Sequence, residues 1–162
     1  MSSKNYLSIY AKSFNWAGFF LPKKTYKNCS YLYDFCRVVD NISDDEDEIE
    51  IKKIKFQKFV SDFKQKNFED PVIQNMWNII HEFNISLEII YDLFDGIESD
   101  IKQNVKIDTR KDLLIYCYRV AGTVGLMMAK ILKVSKKQSL KSAIDLGIAT
   151  VSYTHLRAHE TG

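Results

Sequence analysis

Only two prolines and six glycines interrupt 162 residues. Both residue types break or end helices, so their scarcity favours long helices joined by few turns. Apolar residues recur at helical spacing. Ile51, Ile54, Phe56, Phe59, Val60 and Phe63 form one stripe between Ile49 and Phe63, with lysines opposite. No stretch alternates with period two for long enough to argue a sheet. The spacing predicts an all-α fold of about six or seven helices. One runs from Thr25 to Asn41 and one from Ile49 to Phe63. Asp70 caps a third, with Pro71 at its first position, reaching about Phe83. Ser86 caps a fourth towards Ile101. Thr109, with Asp112 three residues on, caps the next as an acidic capping box. Ser135 is the expected cap of the last, Lys136 to Ala149. Tyr6 to Leu21 is a lead-in closed by Pro22.

With 46% hydrophobic and 27% charged residues, the chain can bury one real core. A net charge of +2, with no basic patch interleaved with aromatics, argues against nucleic acid as a partner. Cys29, Cys36 and Cys117 form no CxxC pair and no zinc spacing. Free thiols in a reducing, cytoplasmic compartment are expected. No apolar signal stretch follows Met1 to Asn5. Leu113 to Leu132 is long enough to cross a bilayer. Arg119 near its middle, with Tyr116, Tyr118 and Thr123, favours the central helix of a bundle instead.

Tyr31 to Asp44 reads as a buried helix, yet it carries Arg37, Asp40 and Asp44. Helical spacing puts Asp40 and Asp44 one turn apart on one face, with Arg37 one turn earlier. Carboxylates four apart repel by roughly 0.2–0.5 kcal/mol on a solvated helix. A cation between them removes that penalty, and Mg²⁺ prefers one or two protein carboxylates plus substrate phosphates. Arg37 suits those phosphates. The same spacing also fits a solvated helix end running into the acidic stretch Asp44 to Glu50.

A second unusual stretch is Tyr116-Cys-Tyr-Arg-Val-Ala-Gly-Thr-Val-Gly125. Gly122 and Gly125 each cost roughly 1 kcal/mol relative to Ala inside a helix. Ala121, Gly125 and Ala129 line up at i, i+4 and i+8. Close helix packing is one explanation. The wall of an apolar pocket for an isoprenoid-like chain is the other, with Tyr116 at its polar end. Between these stretches, Phe94 to Asp100 sets Asp95, Glu98 and Asp100 around Gly96. Gly96 suggests a kink or a close approach; the acids read either as a solvated face with capping roles or as part of a functional site.

Together, Lys12-Ser13-Phe14, Tyr33-x-x-Cys36-Arg37-x-x-Asp40-x-x-x-Asp44, Gly96-x-x-x-Asp100 and the Tyr116–Gly125 string resemble the squalene and phytoene synthases, the head-to-head trans-isoprenyl diphosphate synthases. The agreement in order and rough spacing covers about Tyr10 to Ala149. The resemblance implies an isoprenoid-synthase-type helical bundle and a prenyltransferase of farnesyl- or geranylgeranyl-diphosphate type. Asp40 and Asp44 would coordinate Mg²⁺ on a prenyl diphosphate; Asn41 stands where many relatives carry a further acid. Ser13, Tyr33 and Arg37 would contact diphosphate, with Arg37 and Tyr116 at the reacting centre. Val120, Val124 and Gly125 would line the chain pocket. NADPH is implied only for a squalene-type product, and peripheral membrane contact is compatible with such substrates. Head-to-tail prenyl synthases fit less well, because they favour a denser Asp-Asp-x-x-Asp cluster.

Where the resemblance leads one to expect a second Asp-rich motif after Asp145 to Ala149, the chain reads Thr150 to Gly162 without it. The expectation is therefore a family domain over residues 1–149, incomplete at the C-terminus, with a non-native tail over 150–162. The polypeptide is then an inactive fragment of a prenyl synthase. A native tail would instead favour a non-catalytic relative, an assembly or lipid-binding module. His155 and His159 are assigned no metal.

Overall fold

The computed structural model describes residues 20–102 and 107–160, with residues 150 and 152–160 described through their backbone alone. Among the described residues the regular structure is helical, with no strand. The chain divides into two compact units, Met1–Ile85 and Ser86–Gly162.

The first unit holds α1 (Lys23–Asp44), α2 (Ile49–Lys64) and α3 (Pro71–Phe83). Pro22 precedes α1, and its carbonyl accepts the Tyr26 N–H at 2.9 Å. Leu32, Phe35 and Val39 are fully buried. Their three- and four-residue spacing makes one apolar stripe along α1. Phe35 meets Phe59 and Phe63 of α2 at ring-centroid distances of 5.8 and 5.6 Å. Phe63 in turn stacks on Trp77 of α3 at 5.2 Å. The Trp77 indole N–H donates to the Phe63 carbonyl at 3.0 Å, so a polar atom buried with the rings has its partner. The starts follow the expected chemistry. Asp70 accepts the Val72 N–H at 2.8 Å, with Pro71 behind it at the first helical position. Asn84 ends α3 in the left-handed conformation (φ 48°), which asparagine tolerates better than most residues.

The second unit holds α4 (Leu87–Ile101), α5 (Arg110–Cys117), a π-helical turn (Tyr118–Gly122), α6 (Thr123–Ile131) and α7 (Lys137–Glu160). Ser86 accepts the Glu88 N–H at 3.3 Å and so caps α4. Thr109 and Asp112 form a reciprocal capping box at α5: Thr109 accepts the Asp112 N–H at 3.1 Å, and Asp112 accepts the Thr109 N–H at 2.9 Å. From Arg110 to Ile131 the helix is long and apolar enough to cross a membrane by length and composition. It has protein partners along this length, including Asp95 for Arg119 at 3.4 Å.

Two boundaries differ from the expectation. The last helix begins at Lys137, where Leu140 N–H reaches the Lys136 carbonyl at 3.1 Å, so Ser135 is not its cap. It continues past Ala149 to Glu160. Residues 150–160 contain neither proline nor glycine, so nothing local stops it.

Small residues let α7 lie against the preceding helix. A Cβ added at Gly125 would sit 2.4 Å from the Ala143 carbonyl oxygen. One added at Gly147 would sit 2.5 Å from the Ala121 carbonyl oxygen. Ala121 and Gly125 thus pair with Ala143 and Gly147, each couple one turn apart on its own helix. Backbone-to-backbone contact of this kind is what excludes side chains at these positions.

Candidate active site

On α1 the buried stripe decides where the polar residues point. At about 100° per residue, Tyr33, Arg37, Asp40 and Asp44 fall within about 60° of one another. That stripe lies well round the helix from Leu32, Phe35 and Val39. One stripe therefore anchors α1 in the core while the other carries four of the expected site residues. Tyr33, Arg37 and Asp40 are half-buried and Asp44 is exposed. The Arg37 guanidinium reaches Asp40 Oδ2 at 3.1 Å. Desolvation raises the Asp40 pKa above its ordinary value, and the Asp44 charge raises it further; Arg37 opposes both. Cys36, one turn before Asp40, has its thiol pushed up to about 12, first by burial and then by the Asp40 charge. It is therefore a thiol, not a thiolate nucleophile.

The end of this helix is secured separately. The Ser43 hydroxyl donates to the Asp40 carbonyl at 2.8 Å. Lys52 of α2 donates to the Ser43 carbonyl at 2.9 Å. Lys55 binds Asp45 at 2.8 Å and also Asp47, lowering the Asp45 pKa and pushing the Lys55 ammonium up to about 12. The acidic run after Asp44 is thus a short linker tied to α2 through Asp45 and Asp47, both of which Lys55 engages.

Mg²⁺ fits this stripe on the chemistry of its donors. Asp40 and Asp44 repel each other, and Asp40 already draws a cationic group. Both stand in the C-terminal half of α1, with no basic residue in its last turn to offset the negative end of the helix dipole. Hard carboxylate oxygens under that field suit a hard divalent ion. Among the described residues no group of three or more His, Cys, Asp or Glu gathers. Ser13 lies outside the described residues.

The other expected residues lie in the second unit. Tyr116 is half-buried on α5, and its hydroxyl donates to Asp100 Oδ1 at 2.9 Å. Val120 sits on the π turn over Gly96 of α4; a Cβ added at Gly96 would come within 2.9 Å of Val120 Cγ1. The close approach expected at Gly96 is therefore present. Val124 is half-buried on α6, and Gly125 faces the α7 backbone. Packing against α7 accounts for the missing side chain at Gly125.

Sequence reasoning missed the π turn and the acids that serve it. Thr123 N–H bonds to the Tyr118 carbonyl, five residues back, and the Thr123 hydroxyl donates to the Arg119 carbonyl at 2.8 Å. Asp92 accepts from Tyr118, and burial together with that carboxylate raises the Tyr118 pKa. Two glycines in a ten-residue apolar stretch were the available signal for irregular backbone.

Three comparisons bear on this arrangement. Residues 7–160 match the family model described as squalene/phytoene synthase. The chain is 30% identical over 151 residues to a phytoene synthase of Pseudescherichia vulneris, covering 86% of this chain and 48% of that protein. It is 32% identical over 127 residues to a 4,4'-diapophytoene synthase of Staphylococcus haemolyticus, covering 76% and 44%. Its fold is similar to the crystal structure of a dehydrosqualene synthase in complex with ligand, with a TM-score of 0.64 and 25% identity over 89% of this chain and 50% of the other. The chain spans about half the length of these relatives.

Proposed function

The chain belongs to the squalene/phytoene synthase family, and we propose that it serves the head-to-head condensation of two prenyl diphosphates, with the α1 stripe as one Mg²⁺–diphosphate site. The observation that carries the reading is the Arg37–Asp40 pair beside Asp44 on one face of a helix whose other face is core. Asp40 and Asp44 would hold the metal. When bound, Mg²⁺ neutralises charge on a leaving diphosphate and so eases ionisation.

The chain's own side chains do the rest. The Arg37 fork can bind two diphosphate oxygens at once. Tyr33 lies one turn away on the same stripe, and Ser13 joins them by resemblance. Tyr116 offers an electron-rich ring to an allylic cation. Val120 and Val124 would keep water from that cation along an apolar chain, while Gly125 lets α7 close behind them. In the reaction, one substrate ionises and the double bond of the second attacks it. A cyclopropylcarbinyl diphosphate forms, with release of one diphosphate and one proton. Loss of the second diphosphate, rearrangement of the resulting cation and loss of a second proton give a phytoene-type product, or squalene if a nicotinamide supplies hydride to the cation instead.

The relatives named for phytoene and diapophytoene synthesis support this chemistry. The test is incubation of the 162-residue chain with Mg²⁺ and farnesyl or geranylgeranyl diphosphate. Mg²⁺-dependent substrate binding is expected, and Asp40→Asn should weaken it by about tenfold or more. Turnover is expected to be negligible, because one carboxylate pair serves one diphosphate. Turnover comparable to that of full-length relatives would overturn the inactive-fragment part. Binding indifferent to both Mg²⁺ and Asp40→Asn would overturn the whole.

A further inference from the structure

Three locally unfavourable features meet where α4 packs on the α5–π segment. Gly96 stands in the middle of α4, where glycine weakens a helix, and it is buried. The π turn at Tyr118–Gly122 breaks the regular hydrogen-bond ladder, and such turns concentrate at functional sites. Asp100 lies in the last turn of α4, where a carboxylate opposes the helix dipole. None of these helps α4 to fold. Together they bring one carboxylate to one hydroxyl. The missing Cβ at Gly96 admits Val120 and Arg119 of the π turn, and one turn further along α4 Asp100 accepts the Tyr116 proton at 2.9 Å. On the same helix Asp92 accepts from Tyr118, Asp95 pairs with Arg119 at 3.4 Å and Glu98 pairs with Lys102 at 2.9 Å.

We infer that Asp100 is a positioning residue that holds Tyr116 as a hydrogen-bond donor and thereby fixes what Tyr116 offers to a substrate. A phenol has one proton. Given to Asp100, it leaves Tyr116 to meet a ligand with lone pairs and an electron-rich ring. Such a group stabilises a cation and is a poor acid towards a double bond. Asp100 thus selects the cation-stabilising role of Tyr116 over the proton-donating one. The inference rests on the reading of Tyr116 as a group at the reacting centre.

The tyrosine Raman doublet, whose two bands differ in relative intensity between a donating and an accepting phenol, reads this directly. Subtracting the spectrum of Tyr116→Phe from that of the wild-type chain isolates Tyr116. A donor pattern is expected in the wild type. Asp100→Asn, which keeps a neutral acceptor of the same shape, should weaken it, and Asp100→Ala should abolish it. Asp95→Ala, which breaks the Arg119 pair on the same helix, should leave it unmoved. Circular dichroism identifies any variant that fails to fold, and the near-isosteric Asp100→Asn then carries the test. A wild-type pattern without donation, or a pattern unchanged in both Asp100 variants, overturns the inference. The doublet needs no turnover. Failure of the prenyl-transfer reading shows as absent Mg²⁺-dependent binding, whereas failure of this one shows as an unmoved doublet.

Discussion

The α1 stripe and the Tyr116–Gly125 segment carry the expected site residues in opposite ways. On α1, Arg37, Asp40 and Asp44 stand on a regular helix whose core face, Leu32, Phe35 and Val39, is separate from them. Chemistry and stability therefore occupy different residues. In the second unit they share residues. Val120 packs on Gly96, Gly125 on Ala143, and Thr123 both bridges the π turn and lies fully buried. The difference teaches that substitutions on α1 should change binding with little effect on folding, whereas substitutions at the packed positions of the second segment should cost stability as well.

The largest effects test the packed region. Gly125→Ala and Gly147→Ala each drive a Cβ against a backbone carbonyl oxygen, at 2.4 and 2.5 Å, and backbone cannot step aside as a side chain can. A loss of about 1–3 kcal/mol is expected in chemical denaturation, even against the better helix propensity of alanine. A neutral or stabilising result would mean that the two helices do not touch there. Thr123→Val keeps the shape and removes the donor to the Arg119 carbonyl; about 1–2 kcal/mol should be lost, read as a lower denaturation midpoint at unchanged m. Thr109→Ala removes one half of the capping box and should cost about 1 kcal/mol by the same measurement.

The smallest expected effect lies on α1. Asp40→Asn should change stability at neutral pH by less than about 0.5 kcal/mol, and in the stabilising direction. The sign follows from linkage. The Asp40 pKa in the folded protein is raised above the ordinary 3.8 by burial and by Asp44. The folded state then favours the protonated form, so the contribution is full below the ordinary carboxylate value and is lost as pH rises through the raised one. Asp40→Asn should flatten that part of the stability–pH curve. A variant that is destabilised at neutral pH instead would show that the Arg37 pair outweighs burial and repulsion.

The helices were legible where a local signal decided them. Asp70-Pro71, Ser86 and the Thr109–Asp112 box each name a helix start by side-chain chemistry alone, and each cap is made. Arg37 and Asp40 were legible because one helical turn brings them together whatever surrounds them. Tertiary facts were less so. Gly125 reads equally well as pocket wall or packing contact until α7 is seen against it. Asp100 reads as a solvated acid because its partner, Tyr116, is sixteen residues away on another helix. The π turn, closed by the Thr123 N–H on the Tyr118 carbonyl five residues back, is hinted at only by the two glycines of an apolar stretch. α7 runs past the expected end at Ala149 because a departure from a family pattern is not a departure from helix, and the residues that follow Ala149 are helix-permissive.

The proposal that α1 carries a metal–diphosphate site is tested most directly by calorimetric titration of the 162-residue chain with inorganic diphosphate, with and without Mg²⁺. Diphosphate should bind only when Mg²⁺ is present. Asp40→Asn and Asp44→Asn should each weaken that binding by about tenfold or more, the loss of one ligand to the metal, while circular dichroism stays unchanged. Equal binding by wild type and both variants would contradict it.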